Sequence, residues 1–144
     1  MNISIQRLDE QDLPEVVSLL TSNKLTSDDL NKGKINFFGI KKESKLIACI
    51  GLESCQGVGL LRSLVVDDDF RAQGLARALV DCLETEAKMQ GFRSLYLLTT
   101  SAGAYFLRLG YSQMDREEVP EGVRASEQFS ALCPDSAEVL FKAI

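Results

Sequence analysis

The chain has no histidine, and its cysteines, Cys49, Cys55, Cys82 and Cys133, never fall in C-x-x-C spacing. Without imidazoles, neither a histidine-based nucleophilic triad nor a Cys/His zinc cluster can be assembled, so no metal is expected. Any proton acceptor must be a carboxylate, an amine, a phenolate, a thiolate or a group acting through water. No apolar run approaches the ~18 to 20 residues that span a bilayer. The first residues, with Asp9, Glu10 and Asp12, also lack the basic and apolar regions of a signal peptide. The expectation is a cytoplasmic protein with reduced thiols and no membrane partner.

Positive charge is in short supply: 16 Lys and Arg face 21 Asp and Glu, for a net charge of -5 and a pI near 4.8. A nucleic-acid binder would carry a basic stripe, so no nucleic-acid partner is expected. An anionic ligand would have to be held by local donors against the field of the whole protein. The Gly-Lys-Ser/Thr of a P-loop and the G-x-G-x-x-G of a dinucleotide fold are both missing. So are internal repeats, low-complexity tracts and linkers. At 144 residues and 45% hydrophobic, residues 1–144 read as one domain, able to bury roughly two-thirds of the surface its unfolded form would expose.

What is present centres on Leu60 to Gly91. An apolar strand ending in Leu64, Val65 and Val66 runs into the acidic turn Asp67-Asp68-Asp69, then the loop Arg71-Ala72-Gln73-Gly74-Leu75-Ala76, then a helix. Leu75, Leu79, Cys82, Leu83 and Ala87 share one helical face; Glu84, Glu86 and Lys88 are expected to face away, with Glu84 and Lys88 as an i,i+4 pair and Gly91 as the stop. A glycine-containing loop entering a helix leaves main-chain N–H groups unpaired at the positive end of the helix dipole, an arrangement suited to a phosphate.

Around this centre the chain alternates strand and helix signals. Ile3 and Ile5 mark a first strand, and Pro14 opens a helix carrying Val16, Val17, Leu19 and Leu20. Ser27 or Asp28 is placed to cap a short helix through Leu30. Phe37 to Ile40 and Leu46 to Leu52 read as a hairpin across the polar run Lys41 to Lys45, and the break at Gln56-Gly57 adds the next strand to form an antiparallel meander. Ser94 to Leu98 is a buried-type strand reached by a right-handed crossover. Thr99-Thr100-Ser101 precede a helix from Ala102 to Leu109, expected to be largely buried and ended by Gly110. Beyond Tyr111, Pro120 opens a short helix through Arg124, and Val139-Leu140-Phe141 form a last strand.

This order, with Arg71-x-x-Gly74-x-Ala76, the preceding Leu64-x-Val66 and the later Leu109-Gly110-Tyr111, resembles the GCN5-related N-acetyltransferase (GNAT) family. The resemblance implies an α/β (α+β) fold: a mixed, mostly antiparallel central sheet with helices on both faces. It further implies acetyl-CoA as co-substrate and a small-molecule amine as acceptor. The amides of Ala72, Gln73, Gly74, Leu75, Ala76 and Arg77 would wrap the pyrophosphate, with Arg71 adding a charge-assisted bond. The main chain of Leu64, Val65 and Val66 would meet the pantetheine arm and stabilise charge developing on the acetyl oxygen. A homodimer would follow the family's habit.

The catalytic candidates are Glu53, as general base at the end of an apolar strand, and Tyr105, as proton donor to the departing thiolate. Many family members have Phe-Tyr where this chain has Tyr105-Phe106, so the phenol stands one residue from the expected place, and Tyr111 or water is the alternative. The segment Arg124 to Pro134 resembles the tail of acetyltransferases named for arsenic-resistance gene clusters, which implies an amino-acid-like acceptor. Arg62, Arg124 and Ser130 are the candidate substrate residues, with Cys133 beside them. A non-catalytic acyl-CoA sensor and an acetyltransferase acting on protein amines are the alternatives.

Overall fold

A computed structural model of the chain describes residues 4–25, 35–126, 129 and 137–144. The helix expected at Ser27 or Asp28, and the candidates Ser130 and Cys133, lie outside the described residues.

Among the described residues, seven strands make one sheet: β1 (Ile5–Arg7), β2 (Ile35–Lys42), β3 (Lys45–Cys55), β4 (Val58–Val66), β5 (Ser94–Thr99), β6 (Ser112–Met114) and β7 (Glu138–Ala143). Their spatial order is β1-β2-β3-β4-β5-β7-β6, and β4 with β5 is the parallel pair among antiparallel neighbours. The meander is closed by two-residue turns. Glu43 and Ser44 have φ of 52° and 70°, and Gln56 and Gly57 have 51° and 91°. Positive φ at both central residues gives a twist that matches the flanking strands. Lys41, Lys42 and Lys45 are therefore strand residues, and the polar run contributes only Glu43-Ser44 to the turn.

Alternation along β3 loads both faces. Ala48, Ile50 and Leu52 join the core beneath α2 (Leu75–Met89) and α3 (Gly103–Arg108), packed on Leu79, Leu83, Ala87 and Phe106. Cys49 faces α1 (Leu13–Ser22), with its Val16, Leu19 and Leu20. Cys55 faces α4 (Glu121–Arg124), anchored by Val123. The result is the mixed, mostly antiparallel sheet with helices on both faces. Asp9 and Asp12 form a capping box on the turn before α1, and Asp12 also ion-pairs with Lys41 across to β2.

Two local expectations are corrected. Glu84 does not pair along its helix with Lys88: its carboxylate accepts from the Tyr111 hydroxyl at 2.9 Å and from Lys142 Nζ of β7 at 3.1 Å. A partner that also donates to the Leu109 carbonyl from a half-buried setting outcompetes a solvated i,i+4 neighbour. α3 is less buried than its composition suggests, because Leu107 is 45% exposed and only Gly103 and Phe106 are buried. β6, only three residues long, carries too little periodicity to be read from sequence.

The feature that positions the site is the way β4 leaves its neighbour. β4 and β5 pair through Gly59 with Leu95 and Leu60 with Tyr96, and there the ladder ends. β3 pairs with β4 on one register up to Gly51 and Arg62 and on another from Cys49 and Val65, so an extra residue bulges from β4 around Ser63, whose φ is 58°. A bulge bends its strand and raises the local twist. β4 and β5 fork beyond Leu60.

Candidate functional site

The fork opens into a cavity of about 870 Å³. β4 from Leu61 to Val66 forms one wall, β5 from Leu97 into Thr100, Ser101 and Ala102 the other, and the loop from Phe70 to the first turn of α2 the rim. The β5-facing main-chain groups of β4 beyond Leu60 have no strand partner there, as a thioester arm lying along the strand would require.

The rim is a row of donors. Gly74 occupies the N-cap of α2 with φ 80°, ψ 9° and no capping side chain, and Ala72 also has positive φ, at 60°. Ala78 N–H is the first to reach back, to the Gly74 carbonyl at 3.1 Å. That leaves the Leu75, Ala76 and Arg77 amides with no partner inside the helix. The first turn carries no acidic residue. A side chain added at Gly74 would meet nothing within 4 Å. Gly74 is thus required for its backbone conformation, and the space above it stays open to an anion. The residues present fit a pyrophosphate.

Arg71 is placed differently from a phosphate ligand in waiting. Its Nε donates to the Val66 carbonyl at 3.1 Å, Nη2 donates to Asn23 Oδ1 at 2.8 Å, and Nη1 pairs with Asp68 at 2.6 Å. It ties the loop to the end of β4 and to the C-cap of α1. Gln73 is exposed and is not one of the residues that line the cavity.

Tyr105 lines the cavity beside Phe106, the two rings edge to face with centroids 5.5 Å apart. Burial raises the Tyr105 pKa, opposed in part by Arg77, which keeps the phenol a proton donor at neutral pH. Tyr111, the alternative donor, is 2% exposed and spends its hydroxyl on Glu84; burial, reinforced by that carboxylate, pushes its pKa well up. It does not line the cavity.

Glu53 and Arg62 meet each other. Arg62 Nη1 lies 2.8 Å from Glu53 Oε1, with side-chain exposures of 1% and 11%. Arg62 touches the cavity from β4, whereas Glu53 is not among its lining residues; among the described residues, no carboxylate lines the cavity at all. Arg124 sits on α4, outside the cavity, and donates to the Arg116 carbonyl at 2.9 Å. The proposed set is thus split: the loop, the end of β4 and Tyr105 come together, and Glu53 and Arg124 stand apart.

Sequence reasoning missed Asn23, Lys24 and Leu25, which close the cavity from the end of α1. No local signal marks them, because the contact is made by Arg71, 48 positions away. It also assigned Thr99 only to capping; Thr99 Oγ1 does accept from the Ser101 and Ala102 amides, and in doing so shapes the far wall.

The forked β4/β5 pair faces the uncapped start of α2 across the cavity. The chain belongs to the acetyltransferase (GNAT) family, whose model matches residues 3–111. It is 32% identical over 92 residues to an amino-acid acetyltransferase of Pseudomonas fluorescens, a match that takes in 62% of this chain and 21% of that protein. An N-acetyltransferase of Chlorobaculum tepidum is 28% identical over 89 residues, 61% of this chain and 57% of the relative. The chain therefore spans only part of the length of these relatives. Among solved structures, N-acetylglutamate synthase from Neisseria gonorrhoeae, complexed with coenzyme A and N-acetyl-glutamate, superposes with a TM-score of 0.81 at 18% identity, covering 99% of this chain and 35% of that one. A GNAT acetyltransferase from Staphylococcus aureus Mu50 gives 0.78 at 17% identity, with 99% of each chain covered. These structural likenesses speak for the fold. No helix among the described residues is long and apolar enough to cross a membrane.

Proposed function

We propose that this chain transfers the acetyl group of acetyl-CoA to the primary amine of a small, amino-acid-like molecule, by direct attack in a ternary complex. The observation that carries this reading is the fork between β4 and β5 opening onto the uncapped start of α2. The naming of relatives as amino-acid acetyltransferases supports the substrate class. The tail's likeness to arsenic-resistance acetyltransferases gains no support from the relatives.

Acetyl-CoA supplies an acyl group already activated as a thioester. The amides of Ala72 to Arg77 hold its pyrophosphate through the helix dipole and open N–H groups. The main chain of Leu64, Val65 and Val66 aligns the arm and places donors near the carbonyl oxygen. The amine nitrogen bonds to the acetyl carbon as the carbon–sulfur bond breaks. The ammonium proton leaves through water, and Tyr105 returns a proton to sulfur.

Incubation with acetyl-CoA and a pooled library of amines and amino acids, followed by thiol release, tests the proposal. Release above the solvent background with an amino-acid-like amine is expected. Coenzyme A binding with no release for any amine would instead favour an acyl-CoA sensor, the alternative that Phe106 in the usual tyrosine position supports.

A further inference from the structure

Glu53, Arg62 and Ser126 are the buried polar residues of the described chain, and the first two lie at the root of the fork. Arg62 stands opposite Gly51 and Glu53 opposite Leu60, so the two form a diagonal pair across the β3–β4 ladder. The arginine stem runs close over residue 51, which has no side chain. A Cβ on Gly51 would come within 3.3 Å of Arg62 Cγ and 3.0 Å of Phe37 Cε1. The arginine stem lies across the glycine to reach the carboxylate.

The guanidinium also reaches forward. Arg62 Nε is 3.2 Å from Ser63 Oγ, and Ser63 is the residue that takes positive φ, 58°, in the bulge. From the other side Cys49 Sγ lies 3.4 Å from the Ser63 carbonyl. The bulge decides which way the end of β4 points. Past it Val65 packs with α1, while Leu64 and Val66 pack toward α2. Without the extra residue the parity of all three would reverse. A non-glycine residue in the left-handed region persists only when its surroundings over-determine it.

We propose that Glu53 and Arg62 are positioning residues: their ion pair, seated over Gly51, holds the Ser63 bulge and thereby aims the main chain of Leu64 to Val66 into the fork. Glu53 acts through Arg62, and neither side chain needs to touch the acceptor. This accounts for Arg62 being only 1% exposed beside a wide cavity. It rests on the acyltransferase reading only where coenzyme A binding or the pH–rate profile is used as a readout.

Amide hydrogen exchange of the ligand-free protein tests the proposal without reference to activity. Glu53→Leu and Arg62→Met should each speed exchange at Ser63 to Val66 by tenfold or more, leaving α2 and β7 unchanged. Glu53→Gln and Arg62→Lys, which keep part of the contact, should recover most of the protection and remain usable if the harsher variants do not fold. Coenzyme A affinity, by titration calorimetry, should fall about tenfold in Glu53→Leu and by less than threefold in Glu53→Gln. The pH–rate profile of Glu53→Gln should keep its shape. Unchanged exchange at Ser63 to Val66 in the folded variants would overturn the proposal. So would a Glu53→Gln enzyme that binds coenzyme A normally but loses the acidic limb of its pH profile, since Glu53 would then be the base. If the unaltered protein fails to bind coenzyme A, the acyltransferase reading falls, while the exchange result still decides the role of the pair.

Discussion

Substitution at Gly74 separates the backbone requirement of the loop from its electrostatic one. Gly74 sits at φ 80°, and a Cβ there meets nothing within 4 Å. Gly74→Ala therefore costs the left-handed backbone penalty alone, about 1 kcal/mol, or roughly 2 to 4 °C in Tm for a chain of this size. Gly74→Glu bears the same backbone cost, but its carboxylate lies at the positive end of α2, which returns about 0.3 to 1 kcal/mol to the ligand-free protein. The glutamate variant should be no less stable than the alanine variant. Toward a pyrophosphate the sign reverses. Two like charges about 6 Å apart at an effective dielectric of about 20 repel by roughly 2.8 kcal/mol, about a hundredfold in affinity. Thermal unfolding gives the first quantity and calorimetric titration with coenzyme A the second. Equal or higher Tm for Gly74→Glu, with affinity about a hundredfold below that of Gly74→Ala, is the expected pattern. Affinities within threefold of each other would refute the placement of the phosphate.

Gly122→Ala would bring a Cβ within 2.5 Å of the Cys55 carbonyl; a backbone atom cannot yield as a side chain can, so a loss of about 1 to 3 kcal/mol is expected in urea unfolding. Lys142→Met strands the Glu84 carboxylate. With side chains 28% and 15% exposed, the cost should fall near 1 to 3 kcal/mol, below the 3 to 5 of a fully buried pair. A double-mutant cycle with Glu84→Gln checks the coupling. Burial pushes the Cys49 thiol up to about 12 and raises Tyr111 in the same direction. Both groups are favoured in their protonated form by the fold, so their contribution is complete below about pH 9 and is lost as pH rises toward 12. Unfolding free energy should decline steadily from pH 9 upward, and Cys49 should resist alkylation at pH 8.5 until the protein is unfolded. Tyr105→Phe should slow acetyl transfer about 10- to 100-fold with coenzyme A affinity changed less than threefold; an unchanged rate would assign the proton to water.

The sequence by itself determined what neighbouring residues settle among themselves. The apolar face of α2 follows from Leu75, Leu79, Leu83 and Ala87 at helical spacing. The cradle follows from a glycine at the one position where α2 begins in the left-handed region, and the meander from strand runs cut by Gln56-Gly57. The fork itself was legible only through the family resemblance, because nothing in the letters of β4 says that pairing with β5 stops at Leu60. Tertiary structure decided the partners of the polar residues. Glu84 finds Lys142, 58 positions on, instead of Lys88. Arg71 reaches Asn23. Arg62 reaches Glu53 because the β3–β4 register sets the two on a diagonal. Helix period and turn conformation are local and written residue by residue. The choice of an ion-pair partner depends on which strands the fold sets side by side, and on the desolvation that burial there imposes.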